Sequence, residues 1–206
     1  CALCVGRGGW PALQHAIGEL LTLPALLSRA ELLVELALAL CDTPPPAAAA
    51  ADAAAAVPPA HVGGFLLLQL FGAAPEAQSA ILSAIFDALA QEDGGAARQP
   101  WVGLLVEVSR RHQLSLHEHA SQLQDWSCCL GTMPLRAARP AVSALLPLVP
   151  RHDAFGRHLL LLLRKLLVAP SRSGRALGAH AYCALLSQRL LPDEAAQHDA
   201  VIALRA

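Results

Sequence analysis

Residues 158–168 read His-Leu-Leu-Leu-Leu-Leu-Arg-Lys-Leu-Leu-Val. A helix through them is apolar on more than one side. Leu159, Leu160, Leu163, Leu166 and Leu167 recur at helical spacing, and Leu161 and Leu162 carry the apolar surface round the back. Such a helix needs neighbours on more than one side, the condition of an inner helix in a stacked array of helical hairpins. A second apolar segment follows the break Ala169-Pro170-Ser171-Arg172-Ser173-Gly174. It sets Leu177, Ala181, Ala184 and Leu185 on one face, with Gly178 and Ala179 beside them. Small residues let a partner helix approach closely. Residues 152–191 are therefore expected to form a helical hairpin.

Composition points the same way. The chain is 55% hydrophobic but only 4% aromatic, with Leu and Ala supplying most of the apolar residues. β-branched and aromatic residues are scarce, which favours an all-α fold over a sheet. The mean hydropathy is positive, at +0.45. Even so, Arg164-Lys165, Pro24 and Arg29 interrupt the leucine runs before they reach the ~18 residues a membrane span needs. No signal peptide is visible, and the chain starts at Cys1 rather than Met, so it is expected to be a piece of a longer protein. The six cysteines are spread along it and include the adjacent pair Cys128-Cys129. That spacing is no disulfide framework and suits a reducing compartment.

The net charge of −1 hides an asymmetry. Residues 1–93 hold two basic and nine acidic residues, a net −7; residues 94–191 hold twelve basic and four acidic, a net +8. The second half is a candidate nucleic-acid surface. A solvated helix face that touches nothing is the competing reading.

Along the chain, Pro11 suits a first helical turn, and Leu13, Ile17, Leu20 and Leu21 follow at helical spacing. Pro24 opens a second helix with Leu26, Leu33, Leu36 and Leu40 on one stripe. Residues 44–60 are Pro/Ala-rich and read as a linker between residues 1–43, the end of a helical domain, and residues 61–206. Beyond it, Phe65, Leu66, Leu68 and Phe71 mark one helix. Ile81, Leu82, Ile85, Phe86 and Leu89 mark the next, ended by Asp93-Gly94-Gly95. Residues 100–112 and 114–126 form another pair. Pro134 opens a helix to about Val149 with Pro140 inside it, and Pro192-Asp193-Glu194 opens the last helix. Units of about 35–45 residues with short connections describe an α-solenoid of antiparallel helical hairpins, HEAT- or armadillo-like.

The sequence offers no catalytic, cofactor or metal site. Cys1-Ala2-Leu3-Cys4 has half a zinc spacing and no second pair. His112, His117 and His119 lie near Glu118, but His117 and His119, two residues apart, do not share a helix face. A metal-dependent enzyme would need those histidines to converge with a carboxylate. No phosphate loop, nucleophile elbow or HExxH motif is present. Trp10, Trp101 and Trp126 are too scattered for a single-strand stacking platform and read as packing residues.

Three stretches carry a resemblance to a known family. Gly131-Thr-Met-Pro-Leu135, then Ala-Val-Ser-Ala-Leu-Leu-Pro-Leu at 141–148, then His-Leu-Leu-Leu-Leu-Leu-Arg-Lys at 158–165, resemble in order and spacing the second solenoid segment of the Fanconi anaemia group I family. Residues 61–92, with GGFLLLQLFGAAPEAQSAILSAIFDAL, resemble the helices just before it. GWPALQHAIGELL, from Gly9 to Leu21, resembles the end of the preceding helical domain.

The resemblance implies a non-catalytic nuclear scaffold in DNA interstrand crosslink repair. It would pair with a paralogous group D subunit and bind double-stranded DNA, and a RING-type ligase with its conjugating enzyme would attach ubiquitin. DNA-contact candidates are then Arg157, Arg164, Lys165, Arg172 and Arg175, meeting phosphates without base selectivity. The family's acceptor lysine follows an arginine after the Leu-Arg-Lys run. Here that arginine falls on Arg175 and the acceptor position on Ala176, so the lysine is missing. Lys165, the only lysine beside fourteen arginines, is a weak substitute; it follows a leucine run, and snorkelling from a packed helix is its other role. Three readings stand: an acceptor elsewhere in a longer chain, a homologue that acts without its own modification, or a local imperfection in the sequence. Ser121-Gln122 and Ser187-Gln188 have the minimal form that damage-response kinases accept, and packing is their other role. The alternative function is a generic HEAT-like protein-interaction module without DNA binding.

Overall fold

The computed structural model describes residues 9–43, 59–90, 99–151, 153–191 and 194–205. Cys1, Cys4, residues 44–58 of the expected linker, the Asp93-Gly94-Gly95 stop, His152 and Pro192-Asp193 lie outside them. Among the described residues all regular structure is helical, with twelve α-helices and no strand. The chain divides into two compact units, residues 1–85 and 86–206.

The first unit is built round α4 (Pro59–Ala73), in which Leu66, Leu67, Leu68, Leu70 and Phe71 are all buried. A helix apolar on that many sides is covered by several neighbours, here α1 (Gly9–Leu20) and α3 (Ala30–Asp42). Trp10 of α1 meets Phe65 edge-on, with ring centroids 5.7 Å apart. After α4 a 3-10 turn, Pro75–Ala77, leads into α5 (Gln78–Ala90), which crosses the boundary between the units. Buried Gln78 is satisfied there: its Nε2 donates to the Phe71 carbonyl at 2.8 Å.

Two expectations change in this unit. The segment from Pro24 is not one helix but two, α2 (Pro24–Leu27) and α3. The Ser28 amide closes α2 on the Pro24 carbonyl, and its hydroxyl donates to the Ala25 carbonyl. The leucine stripe of α3 is also not its buried face. Ala30, Val34 and Ala37 are buried instead, and Leu36 is 52% exposed. The reason is the approach of α4. A Cβ on Gly63 would lie 2.5 Å from the Ala37 carbonyl oxygen, so small residues set the contact; Leu32 and Leu36 turn outward and Leu33 and Leu40 stay half-buried.

The second unit has two layers of helices. One holds α6 (Gln99–Arg111), α9 (Leu135–Leu145) and α11 (Arg172–Ser187). The other holds α8 (Ala120–Ser127), α10 (Asp153–Leu167) and α12 (Glu194–Arg205). The expected helix over 114–126 is broken at His119 into α7 (Gln113–Glu118) and α8, and α9 gives way to a 3-10 turn at Leu146–Leu148 before Val149. The α5 residues Ile81, Leu82, Ile85, Phe86 and Leu89 are buried as the periodicity requires, and Phe86 stacks on Trp126 of α8 at 4.5 Å. In α10, Phe155, Leu159 and Leu163 have no exposed surface. Each such side chain contributes at most about 1.5–3 kcal/mol relative to exposure. Leu161 is different. It was expected to extend the buried surface, yet it is 61% exposed.

The α10–α11 hairpin closes at Gly178. A Cβ there would lie 2.9 Å from the Leu167 amide nitrogen and 3.1 Å from the Leu163 carbonyl oxygen, both rigid backbone atoms. At the far end of α11, Arg189 has φ of 52° and the Leu190 amide bonds back to the Leu185 carbonyl. This is the left-handed helix stop that glycine usually supplies.

Two stability changes follow. Gly178→Ala gains about 1 kcal/mol of helix propensity and loses about 1–3 kcal/mol to overpacking. Urea unfolding is expected to show a net loss. Arg189→Gly relieves a left-handed side chain and is expected to raise the unfolding free energy by up to about 1 kcal/mol.

Candidate functional site

The expected cations sit on one hairpin but in three different situations. Arg164 and Lys165 occupy the last turn of α10, where positive charge complements the carbonyl end of the helix. Both are exposed. Arg172 and Arg175 lie at the start of α11, where the helix dipole opposes them. Ser171 caps that helix, its hydroxyl oxygen accepting from the Gly174 amide at 3.1 Å. Arg175 is held by its own turn: its Nη1 donates to the Ala169 and Pro170 carbonyls, each at 2.8 Å. Arg157 stands two turns before Arg164 on α10, with Nε donating to the Asp153 carbonyl at 3.2 Å.

The turn between α10 and α11 thus concentrates Arg164, Lys165, Arg172 and Arg175. None of them is ion-paired to another described residue. Elsewhere the positive charge is offset or placed apart. Glu107 accepts from Arg110 at 3.0 Å and Arg111 at 2.8 Å, and these bonds, Arg110's foremost, hold its carboxyl below the ordinary range. Arg136 and Arg139 are exposed on α9, a different helix from the two that form the turn. Arg151 engages the Gln113 side chain.

A feature the sequence reading missed lies along α10. Arg157, Leu160, Leu161 and Arg164 form one wall of a groove of about 300 Å³. The facing wall is Ala196, Asp199, Ala200 and Ala203 of α12. Tyr182 of α11 lies against the groove and donates to the Leu160 carbonyl at 3.3 Å. Burial raises its pKa; Arg164 pulls the other way and Asp199 adds to the rise. The signal was present in α12, whose alanines recur at helical spacing and leave room where larger side chains would fill it.

The remaining candidates differ in exposure. His112 is half-buried, its pKa lowered by burial and then by Arg111. His117 is exposed and His119 half-buried. Among the described residues no group of three or more His, Cys, Asp or Glu is arranged to hold a metal. Cys128 Sγ stands 3.9 Å from His158 Nε2. Ala176 is half-buried on α11, Lys165 is exposed, and both Ser121 and Ser187 are exposed. No described helix is long and apolar enough to cross a membrane.

Residues 31–183, which are 153 of the 206, match the family model described as FANCI solenoid 2. No curated protein matches the chain.

The two arginines at the start of α11 differ in structural role, and this can be measured. Arg175→Ala removes two carbonyl acceptor contacts and is expected to lower unfolding stability by about 0.5–1.5 kcal/mol. Arg172→Ala, with no such contact among the described residues, is expected to stay within about 0.5 kcal/mol of the parent.

Proposed function

This chain belongs to the FANCI solenoid 2 family, and on that ground we propose that it is a non-catalytic scaffold segment acting in the nucleus in repair of DNA interstrand crosslinks. It pairs with the paralogous group D subunit and touches duplex DNA through phosphate contacts. The observation that carries the DNA part is the exposed turn of Arg164, Lys165 and Arg172, without carboxylate partners among the described residues. Phosphates supply the missing counter-charge, and contacts of this kind position a duplex without reading its sequence. Arg175 adds charge to the turn but is committed to its carbonyls. Arg157 lies further along α10 and belongs to the edge of the surface.

In this reading a RING-type ligase and its conjugating enzyme meet a sequence with one side-chain amine. That amine is Lys165, which is exposed, while the family position falls on Ala176. Any ubiquitin carried by these residues through a lysine is therefore carried on Lys165.

A second reading, a protein-interaction module without DNA, is favoured by a different observation. Leu161 on α10 and Val168 just past its end, 61% and 79% exposed, lie among the same cations. Phosphate gains nothing from them.

Salt dependence separates the two. Binding to a duplex is expected to weaken linearly on a log–log salt plot, by about 0.9 per phosphate contacted. Lys165→Ala with Arg172→Ala is expected to flatten that slope by about 2. A slope near zero for the unaltered chain would remove the phosphate contacts from the proposal.

A further inference from the structure

We propose that the groove between α10 and α12 is a docking site for an acidic amphipathic helix from a partner protein. The inference shares Arg164 with the duplex reading but rests on a different observation, how the groove distributes charge.

Arg157 and Arg164 are seven residues apart on α10, which sets their positions about 10 Å from each other along the helix. Leu161 lies between them, 61% exposed, above an apolar floor that includes Leu160. One carboxylate or phosphate drawn between the two arginines leaves the exposed apolar surface of Leu161 unused. A helix laid along α10 uses all three, if it carries acids at positions i and i+7 and an apolar residue between them. The pattern Arg-x3-Leu-x2-Arg of α10 is thus matched by acid-x3-apolar-x2-acid in the occupant. The volume of about 300 Å³ admits an anchoring side chain, because the α12 wall is made of alanines.

The opposite wall fixes what the occupant cannot be. Asp199 faces the arginines across the groove. A uniformly anionic ligand such as duplex DNA gains at Arg157 and Arg164 and is repelled at Asp199. A helix with one acidic edge and one neutral or basic edge satisfies both walls. Arg157 remains available for this, since only its Nε is used by the Asp153 carbonyl.

The test uses a fluorescein-labelled helical peptide with the pattern Glu-x3-Leu-x2-Glu and Ala or Gln elsewhere, titrated with the full chain and read by anisotropy. Saturable binding is expected, weakened at least about tenfold by Leu161→Ser and also weakened by Arg157→Ala. The Gln-for-Glu peptide is expected to bind poorly, and Lys165→Ala with Arg172→Ala to leave peptide affinity unchanged. Thermal melts of each variant establish that exposed substitutions have not unfolded the chain. Equal binding of the Glu and Gln peptides overturns the proposal, as does undiminished binding by folded Leu161→Ser. If duplex DNA displaces the peptide competitively from the Lys165→Ala, Arg172→Ala variant, the groove is a nucleic-acid surface instead. Failure of the unaltered chain to bind duplex while it still binds the peptide sinks the DNA reading alone.

Discussion

The packing of α10 against α11 depends on a missing methyl group. At Gly178 the two backbones approach so closely that a Cβ would press on the Leu167 amide and the Leu163 carbonyl. That approach lets Leu159, Leu163 and Leu166 of α10 share an interior with Leu177, Ala181 and Leu185 of α11, all buried. Both layers of the second unit contribute one of these helices. The same economy of side-chain size recurs in the first unit at Gly63, against the Ala37 carbonyl. In each case small residues at the seam set the helix spacing, and the leucines fill the space around it.

Close packing on one side of α10 leaves its other side with a mixed character. The cations there are not interchangeable. Arg175 is occupied by main-chain carbonyls, Arg164 and Arg157 border an apolar groove, and Lys165 and Arg172 face outward at the turn. A solenoid hairpin offers its inner faces to neighbouring hairpins and its turns and outer faces to partners. The positive charge of residues 94–191 therefore acts through the local geometry of each arginine, more than through the regional sum.

Sequence reasoning found the helical class because leucine and alanine periodicity states it directly. It also found the buried face of α5, whose five large apolar residues recur on one side. The same rule misplaced the face of α3, because it scores apolar size and the α3–α4 seam selects smallness: Ala30, Val34 and Ala37 went inside and Leu36 outside. The break at His119 has no proline or glycine to announce it. Which residues carry charge was legible, and so was the Leu-Arg-Lys run that led to the family. Which arginines are already engaged was not, since Arg175 finds its acceptors only once the turn is folded. The groove was hidden for a related reason: it depends on what α12 lacks.

The seam between α3 and α4 also bears on how this chain tolerates change in length. These helices pack directly on each other although sixteen residues, 43–58, connect them. The entropy of joining two chain ends grows only logarithmically with the length between them, by about 0.6 kcal/mol per doubling. The low-complexity tract can therefore lengthen or shorten by several alanines with little effect on the helices it joins. Drift in the length of this alanine tract would pass almost unseen, whereas one added methyl group at Gly63 would not.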